Sequence, residues 1–246
     1  MTARVALIKR VHIVGFAPTW VQAPWDDTEA EFWGMNALHR LATDKPFHRW
    51  FQLHDLDQHH AEDADHRVWL QNAKIPIYMW SHHIDKFGAY IPAAVPYPKD
   101  EIVNRYGTYL TNTVSWMMAY ALYLHDIGMG IEEVGVWGVD MAQDSEYEHQ
   151  RPSVEYFLGL LVGRGIKVIV PPTSDLLKTS SLYGAEENLL RGKMEARKAE
   201  LAQRKTQHEQ QVQMHQAAAL QMQGALDDTE YYLRTWVSTP SAKSEA

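Results

Sequence analysis

Short apolar runs, each stopped by a turn or a polar residue, alternate with stretches of helical periodicity over most of the chain. Val11-His12-Ile13-Val14 ends at Gly15, and Glu31-Phe32-Trp33-Gly34-Met35 runs into Asn36. Trp50-Phe51-Gln52-Leu53 runs into His54-Asp55. Ile75-Pro76-Ile77-Tyr78-Met79 carries a proline that suits an edge or the start of a strand. Val114, Met117, Met118, Ala121 and Leu122 recur at helical spacing, with Thr111 or Asn112 placed as the N-cap. Glu133 to Asp140 is the most strand-like segment. Val154 to Val162 then reads as an apolar helix closed by Gly163 and Gly165, and Ile166 to Val170 as a strand stopped by Pro171-Pro172. Residues 84–107, with Pro92, Pro96 and Pro98, read as a loop. This alternation predicts an α/β, Rossmann-like, mostly parallel sheet flanked by helices. Ligands of such sheets bind in loops beyond the carboxyl ends of the strands. Those ends here carry Gly15–Thr19, Asn36, His54-Asp55 and Asp140–His149.

After Ser180 the character changes. Residues 184–236 hold no proline and are rich in strong helix formers. The expected organisation is a Rossmann-like domain over 1–180, a helical extension over 181–237 and a disordered tail over 238–246. The extension is one long helix or a helical hairpin. Positions 190, 194, 197, 201, 204, 208, 211, 215, 218 and 222 step by three and four, yet only Leu190, Met194, Leu201, Ala218 and Met222 among them are apolar. A tight coiled coil wants a cleaner seam. Packing on the main domain or on another subunit remains, so residues 184–236 are the candidate for homo-oligomer formation.

Composition narrows the function classes. With no cysteine, the chain has no disulfide, no thiolate nucleophile and no thiolate metal site. A net charge of −8 argues against sequence-independent binding to a nucleic-acid backbone. No apolar run reaches the ~20 residues that span a bilayer. The opening MTARVALIKRVHIVG passes straight into a strand pattern, so a cytoplasmic protein is the expectation.

Gly15-Phe16-Ala17-Pro18-Thr19 follows a strand, and a small-residue turn there lets backbone amides approach a phosphate. It has neither the G-x-G-x-x-G pattern nor the lysine of a P-loop. His54, Asp55 and Asp57 form the alternative, a divalent-metal site with a D-x-D element. The run from Asp140 to Pro152 is the most informative. Asp140, Tyr147, His149 and Arg151 offer an acid, a phenol, an imidazole and a guanidinium beyond the best strand. Histidine is the default general base near neutral pH, and arginine and tyrosine suit phosphate.

Taken in order over residues 11–177, these segments resemble the bacterial sialyltransferases of lipooligosaccharide and their motility-associated glycosyltransferase relatives. The family's Gly-x-Gly-Pro-Ser turn is matched by Gly15-Phe16-Ala17-Pro18-Thr19, and its Cys-Asn strand end by Trp33-Gly34-Met35-Asn36. Its Thr-Ser-Gly helix start is matched by Thr111-Asn112-Thr113, and its Gly-Ile-Asp-Phe strand end by Gly138-Val139-Asp140-Met141. Tyr147 and His149 resemble its tyrosine and histidine, and Pro171 to Leu177 its closing proline and Ser-x-Leu-Leu segment. The chain departs from the pattern at Phe16, Thr113 and Ala142, and only Glu148 separates Tyr147 from His149.

The resemblance implies a glycosyltransferase-type domain that transfers a sugar, other than sialic acid itself, from a nucleotide-sugar donor with inversion. By it Gly15, Ala17, Pro18, Thr19, Asn36, Thr111, Asn112 and Arg151 belong to the donor site. Tyr147 faces the leaving phosphate, His149 is the general base, and Asp140 joins them. A divalent metal is optional. The acceptor is a glycan, a small molecule or a modified nucleic-acid base. Two readings stand beside this one: a catalytically silent nucleotide-binding or assembly module, and a metal-dependent hydrolase built on His54, Asp55 and Asp57.

Overall fold

The computed structural model describes residues 7–54, 63–141, 145–179, 182–183 and 190–236, and of residues 145–148 and 190 the backbone alone. The chain divides into two compact units, Met1–Leu190 and Arg191–Ala246.

In the first unit the strands are β1 (Arg10–Val14), β2 (Ala30–Met35), β3 (Arg49–Phe51), β4 (Ile77–Met79), β5 (Ala94–Pro96), β6 (Glu133–Trp137) and β7 (Lys167–Ile169). Its helices are α1 (Ala64–Asn72), α2 (Ser81–Phe87), α3 (Lys99–Tyr106), α4 (Thr113–Asp126) and α5 (Ser145–Gly163). The strands form one parallel sheet in the order β5-β4-β3-β2-β1-β6-β7. The architecture is therefore α/β and Rossmann-like, as the alternation predicts. Strands are added in one direction from β1 to β5, and β6 returns to the other side of β1. The reversal of strand order lies between β1 and β6.

Both faces of the sheet are buried, and the period of two along each strand divides the side chains between them. Val11, Ile13, Trp33, Phe51, Tyr78, Val134 and Val136 join one core cluster with residues of α3, α4 and α5. Val14, Phe32, Trp50, Ile77 and Met79 join a second with Leu70 of α1, against which Ile84 of α2 packs. Each large apolar side chain so buried contributes about 1.5–3 kcal/mol. That is why runs as short as β3 and β4 hold their places.

The structure departs from the sequence reading at two places. Residues 84–107 are not a loop: they contain the end of α2, then β5 and α3. The prolines sit where they cost little, with Pro96 ending the sheet's edge strand and Pro98 just before α3. Pro76, read as an edge or a strand start, precedes β4, which is flanked by β3 and β5, so the strand start is the reading that holds. Finally, the polar run after Asp140 is helical from Ser145, so α5 begins well before Val154 and carries Pro152 inside it.

His12 occupies the middle of the central strand and is 1% exposed. Its Nδ1 accepts from Trp137 Nε1 at 3.3 Å. Its Nε2 lies 4.0 Å from Asp27 Oδ2 and has no hydrogen-bond partner among the described residues. Burial lowers its pKa below the ordinary 6.5, against the smaller pull of Asp27 and Glu133 and with a push from Arg10. The unfolded chain then binds a proton that the folded one refuses. The His12 contribution is complete above pH 6.5 and declines as the pH falls below it. Urea unfolding should give a lower midpoint at pH 5.5 than at pH 7.5, and His12→Asn should lessen the difference. An unchanged pH dependence in that variant would place the titration elsewhere.

The second unit contains α6 (Leu190–Thr235), a single helix of 46 residues. At 1.5 Å per residue it is about 69 Å long. Arg191–Glu195, Glu200–Arg204 and Lys205–Glu209 pair along it at i,i+4. Met194, Leu201, Val212, Met222, Leu226 and Leu233 are exposed. Among the described residues no helix is long and apolar enough to cross a membrane.

Candidate functional site

The loops leaving β1 and β6 are hydrogen-bonded to each other where the strand order reverses. Gly15 N donates to Trp137 O at 2.8 Å and Ala17 N to Gly138 O at 2.8 Å. The backbones lie so close that a Cβ on Gly138 would fall 2.4 Å from Gly15 O, and one on Gly15 would fall 2.5 Å from Gly138 O. Gly138 also has φ +66°, a conformation that side chains other than glycine's adopt at a cost.

Thr19 fixes the crossing. It sits in the 3₁₀ turn Pro18–Gln22, whose first residue is the proline of the sequence motif. Its side chain is 0% exposed. Its hydroxyl donates to Asp140 Oδ1 at 2.5 Å and accepts from Gly138 N at 2.9 Å. Thr19 and Asp140, both read as site residues, are thus in direct contact, with Asp140 6% exposed. The loop after β7 closes on the same point. Ser174 Oγ donates to Val139 O at 3.0 Å, and Asp175 N donates to Asp140 O at 2.9 Å. The sequence reading passed over Gly138 and Ser174 as site residues. Their signal was the motif each belongs to, Gly138 to Met141 and Pro171 to Leu177, together with a position just after a strand.

Asn36 leaves β2 at the same edge of the sheet, just beyond the last β1–β2 pair, Ile13↔Trp33. It takes φ +49°, which asparagine tolerates better than most residues. Its carbonyl accepts from Trp50 Nε1 at 3.1 Å. Its amide Oδ1 is enclosed without a hydrogen-bond partner among the described residues.

A second group gathers at the N-terminus of α4. Met129, beyond the other end of α4, accepts from Ile8 N ahead of β1. The helix therefore runs antiparallel to the strands and starts at their carboxyl edge. Asn112 is its N-cap: Oδ1 accepts from Ser115 N at 2.9 Å, and Ser115 Oγ completes a capping box. The same cap reaches α5. Asn112 Nδ2 donates to Gln150 O at 3.0 Å and Thr111 Oγ1 to His149 O at 3.3 Å. Pro152, inside α5, has no amide to donate to the preceding turn.

Thr111, Asn112 and His149 are thus brought together, and the His149 side chain is exposed to solvent. Arg151 Nε is held by Glu155 at 2.8 Å on the same helix. The side chain of Tyr147 lies outside the described residues, as do Asp55 and Asp57. His54 follows β3 and is exposed. Among the described residues no cluster of three or more His, Cys, Asp or Glu side chains is placed to hold a metal ion.

No protein-family model and no curated protein matches the chain. Among solved structures it is similar to the sialyltransferase CstII from Campylobacter jejuni, solved in complex with a substrate analogue, cytidine-5'-monophosphate. The identity is 18%, the TM-score is 0.43, and the match covers 74% of this chain and 87% of that one.

Proposed function

We propose that the first unit is a glycosyltransferase-like enzyme that binds a nucleotide-activated sugar beside the β1–β6 crossing and passes the sugar to a hydroxyl acceptor. The observation that carries this reading is the meeting of the β1 and β6 loops at the reversal of strand order. Open α/β sheets hold their ligands in that crevice. The N-terminus of α4 starts at the same edge, and its partial positive charge suits a phosphate. The ordered sequence resemblance supports the same reading.

In this mechanism the acceptor hydroxyl attacks the anomeric carbon from the side away from the phosphate. His149 takes the hydroxyl proton, and its exposure leaves it open to an acceptor. Tyr147 donates to the departing phosphate oxygen, whose developing charge needs such a donor. Thr19 and Asp140 are positioning residues, because their bond holds the loops in place from within the protein. A divalent cation is optional. The acceptor is a glycan, a small molecule or a modified nucleic-acid base.

A second reading, a silent nucleotide-binding or assembly module, is favoured by two observations. Asp140 is buried against Thr19, and Arg151 is committed to Glu155. In either reading α6 supplies self-association, supported by its exposed residues Val212, Leu226 and Leu233 at heptad-compatible spacing.

A thermal-shift series with cytidine, uridine, guanosine and adenosine mono- and diphosphates tests nucleotide binding. A ligand at 100 times its Kd adds about 2.7 kcal/mol. For a unit of this size that is a rise of roughly 5–10 °C in Tm. A flat response to every nucleotide would remove the transferase reading and leave, of the second, the assembly module alone.

A further inference from the structure

A groove lies on the other side of the sheet's β2–β4 segment, between the chain that follows β2 and the C-terminal end of α1. Its volume is about 270 Å³, and its walls include His39, Thr43, Lys45, Phe47, Trp69 and Lys74. The wall is apolar where Trp69 and Phe47 meet Ile75. Neither lysine has an ion-pair partner among the described residues. Lys45 instead rests its ammonium 5.5 Å from the centre of the Trp25 ring.

His39 is the built part of this groove. It is 9% exposed, and its ring stacks on Trp69 with centroids 4.5 Å apart and planes 7° from parallel. Its Nε2 is 2.8 Å from Nδ1 of His66, which is 0% exposed. His66 Nε2 is in turn 3.0 Å from Gln52 Oε1, just past the end of β3. The ring plane and Nε2 are thus fixed from inside the protein, and Nδ1 is the nitrogen outside this chain of bonds.

A neutral imidazole carries its proton on one ring nitrogen, so His39 bears Nδ1–H in the tautomer whose Nε2 accepts from His66 Nδ1. An anion favours that tautomer without the uptake of a proton.

We propose that this groove binds a small planar anion, with its ring against Trp69, Phe47 and Ile75 and its charge near Lys45, Lys74 and His39. The groove lies just below the usual 300–1,000 Å³ of drug-sized sites, so one or two fused rings with a single anionic group are the class it takes. Carboxylate and phosphate share the required chemistry: charge that attracts ammonium groups and oxygens that accept from Nδ1–H.

The test is a titration of the full chain, ¹⁵N-labelled, with naphthalene-2-carboxylate, 2-naphthyl phosphate and the neutral naphthalene-2-carboxamide. Saturable shifts of the Trp69 indole N–H, together with exchanged ¹⁵N tautomer signatures at His39 and His66, are expected with an acid probe. The amide should bind at least about tenfold more weakly, and a K45M/K74M double variant should lose a similar factor for the acids. Lys74 is exposed and Lys45 half-buried, and an unchanged Tm will show that the variant folds. Tighter binding of the phosphate assigns the groove to phosphate esters, and tighter binding of the carboxylate assigns it to aromatic acids. Either supports the proposal. It is overturned by equal affinity for acid and amide, by full affinity in K45M/K74M, by the absence of saturation, or by unmoved histidine signals.

Discussion

Gly138→Ala should destabilise the first unit by about 4 kcal/mol, with Tm lower by roughly 8–16 °C. Two effects add. A side chain at φ +66° costs on the order of 1–2 kcal/mol by itself. The new Cβ would also stand 2.4 Å from Gly15 O, which is backbone and not the yielding end of a side chain. Relief means moving the loops apart and losing the bonds from Gly15 N to Trp137 O and from Ala17 N to Gly138 O. Each of those is worth about 1 kcal/mol. Gly128 supplies the comparison, because its φ of +87° is as unusual but nothing lies near its Cβ position, at the end of α4 where Met129 N donates back to Leu124 O. Gly128→Ala should therefore cost only about 1–2 kcal/mol. Urea unfolding of the two variants separates the effects. Equal losses would mean that the close approach of the loops is not what requires glycine at 138.

The second large effect concerns turnover. If His149 takes the acceptor proton, His149→Ala should lower transfer by about 10²–10⁴-fold, the usual contribution of a positioned general base. Nucleotide-induced stabilisation should persist, because the proposed role of the imidazole is towards the acceptor and not the base or ribose. The substitution is mild for folding. The His149 side chain is exposed, and the contact that ties this turn to Thr111 uses the backbone carbonyl. The experiment takes whichever nucleotide gives the largest shift, supplies its sugar conjugate, and follows release of the free nucleotide. Undiminished release in the variant would assign the proton to another group. Loss of stabilisation together with loss of turnover would mean that His149 helps to hold the donor.

The parts of the fold that could be read from the sequence are those whose burial is local. Val11, Ile13 and Val14 announce β1 because each is apolar and the run stops at Gly15. Val134 and Val136 do the same for β6. β5 leaves no sequence signal because Ala94-Val95-Pro96 is too short to show a period, and this half-exposed edge strand is defined by its pairing with β4. The front half of α5 was missed because Ser145 to Arg151 is polar. Its helical geometry is fixed partly by the Thr111 and Asn112 side chains, far away in the chain. For the site, strand ends and polar residues located the loops. The Thr19–Asp140 bond, spanning 121 residues, leaves no local pattern. The His39–His66–Gln52 chain was equally invisible, since no spacing relates a turn, a helix and a strand end.

The sheet order also bears on how the molecule comes together. From β1 to β5 each strand is laid beside its predecessor, so the ribbon grows by short closures. β6 alone must travel back across the whole ribbon. Closing a stretch of that length costs roughly 1.5 kcal/mol more entropy than closing β1 on β2. The β1–β6 pair thus joins the two neighbouring strands of the sheet that lie farthest apart in the chain. A ligand gripping both members of that pair acts as a staple. Amide exchange at Gly15 and Ala17 should slow more on nucleotide binding than exchange within β3 and β4, tying occupancy of the cleft to the integrity of the whole unit.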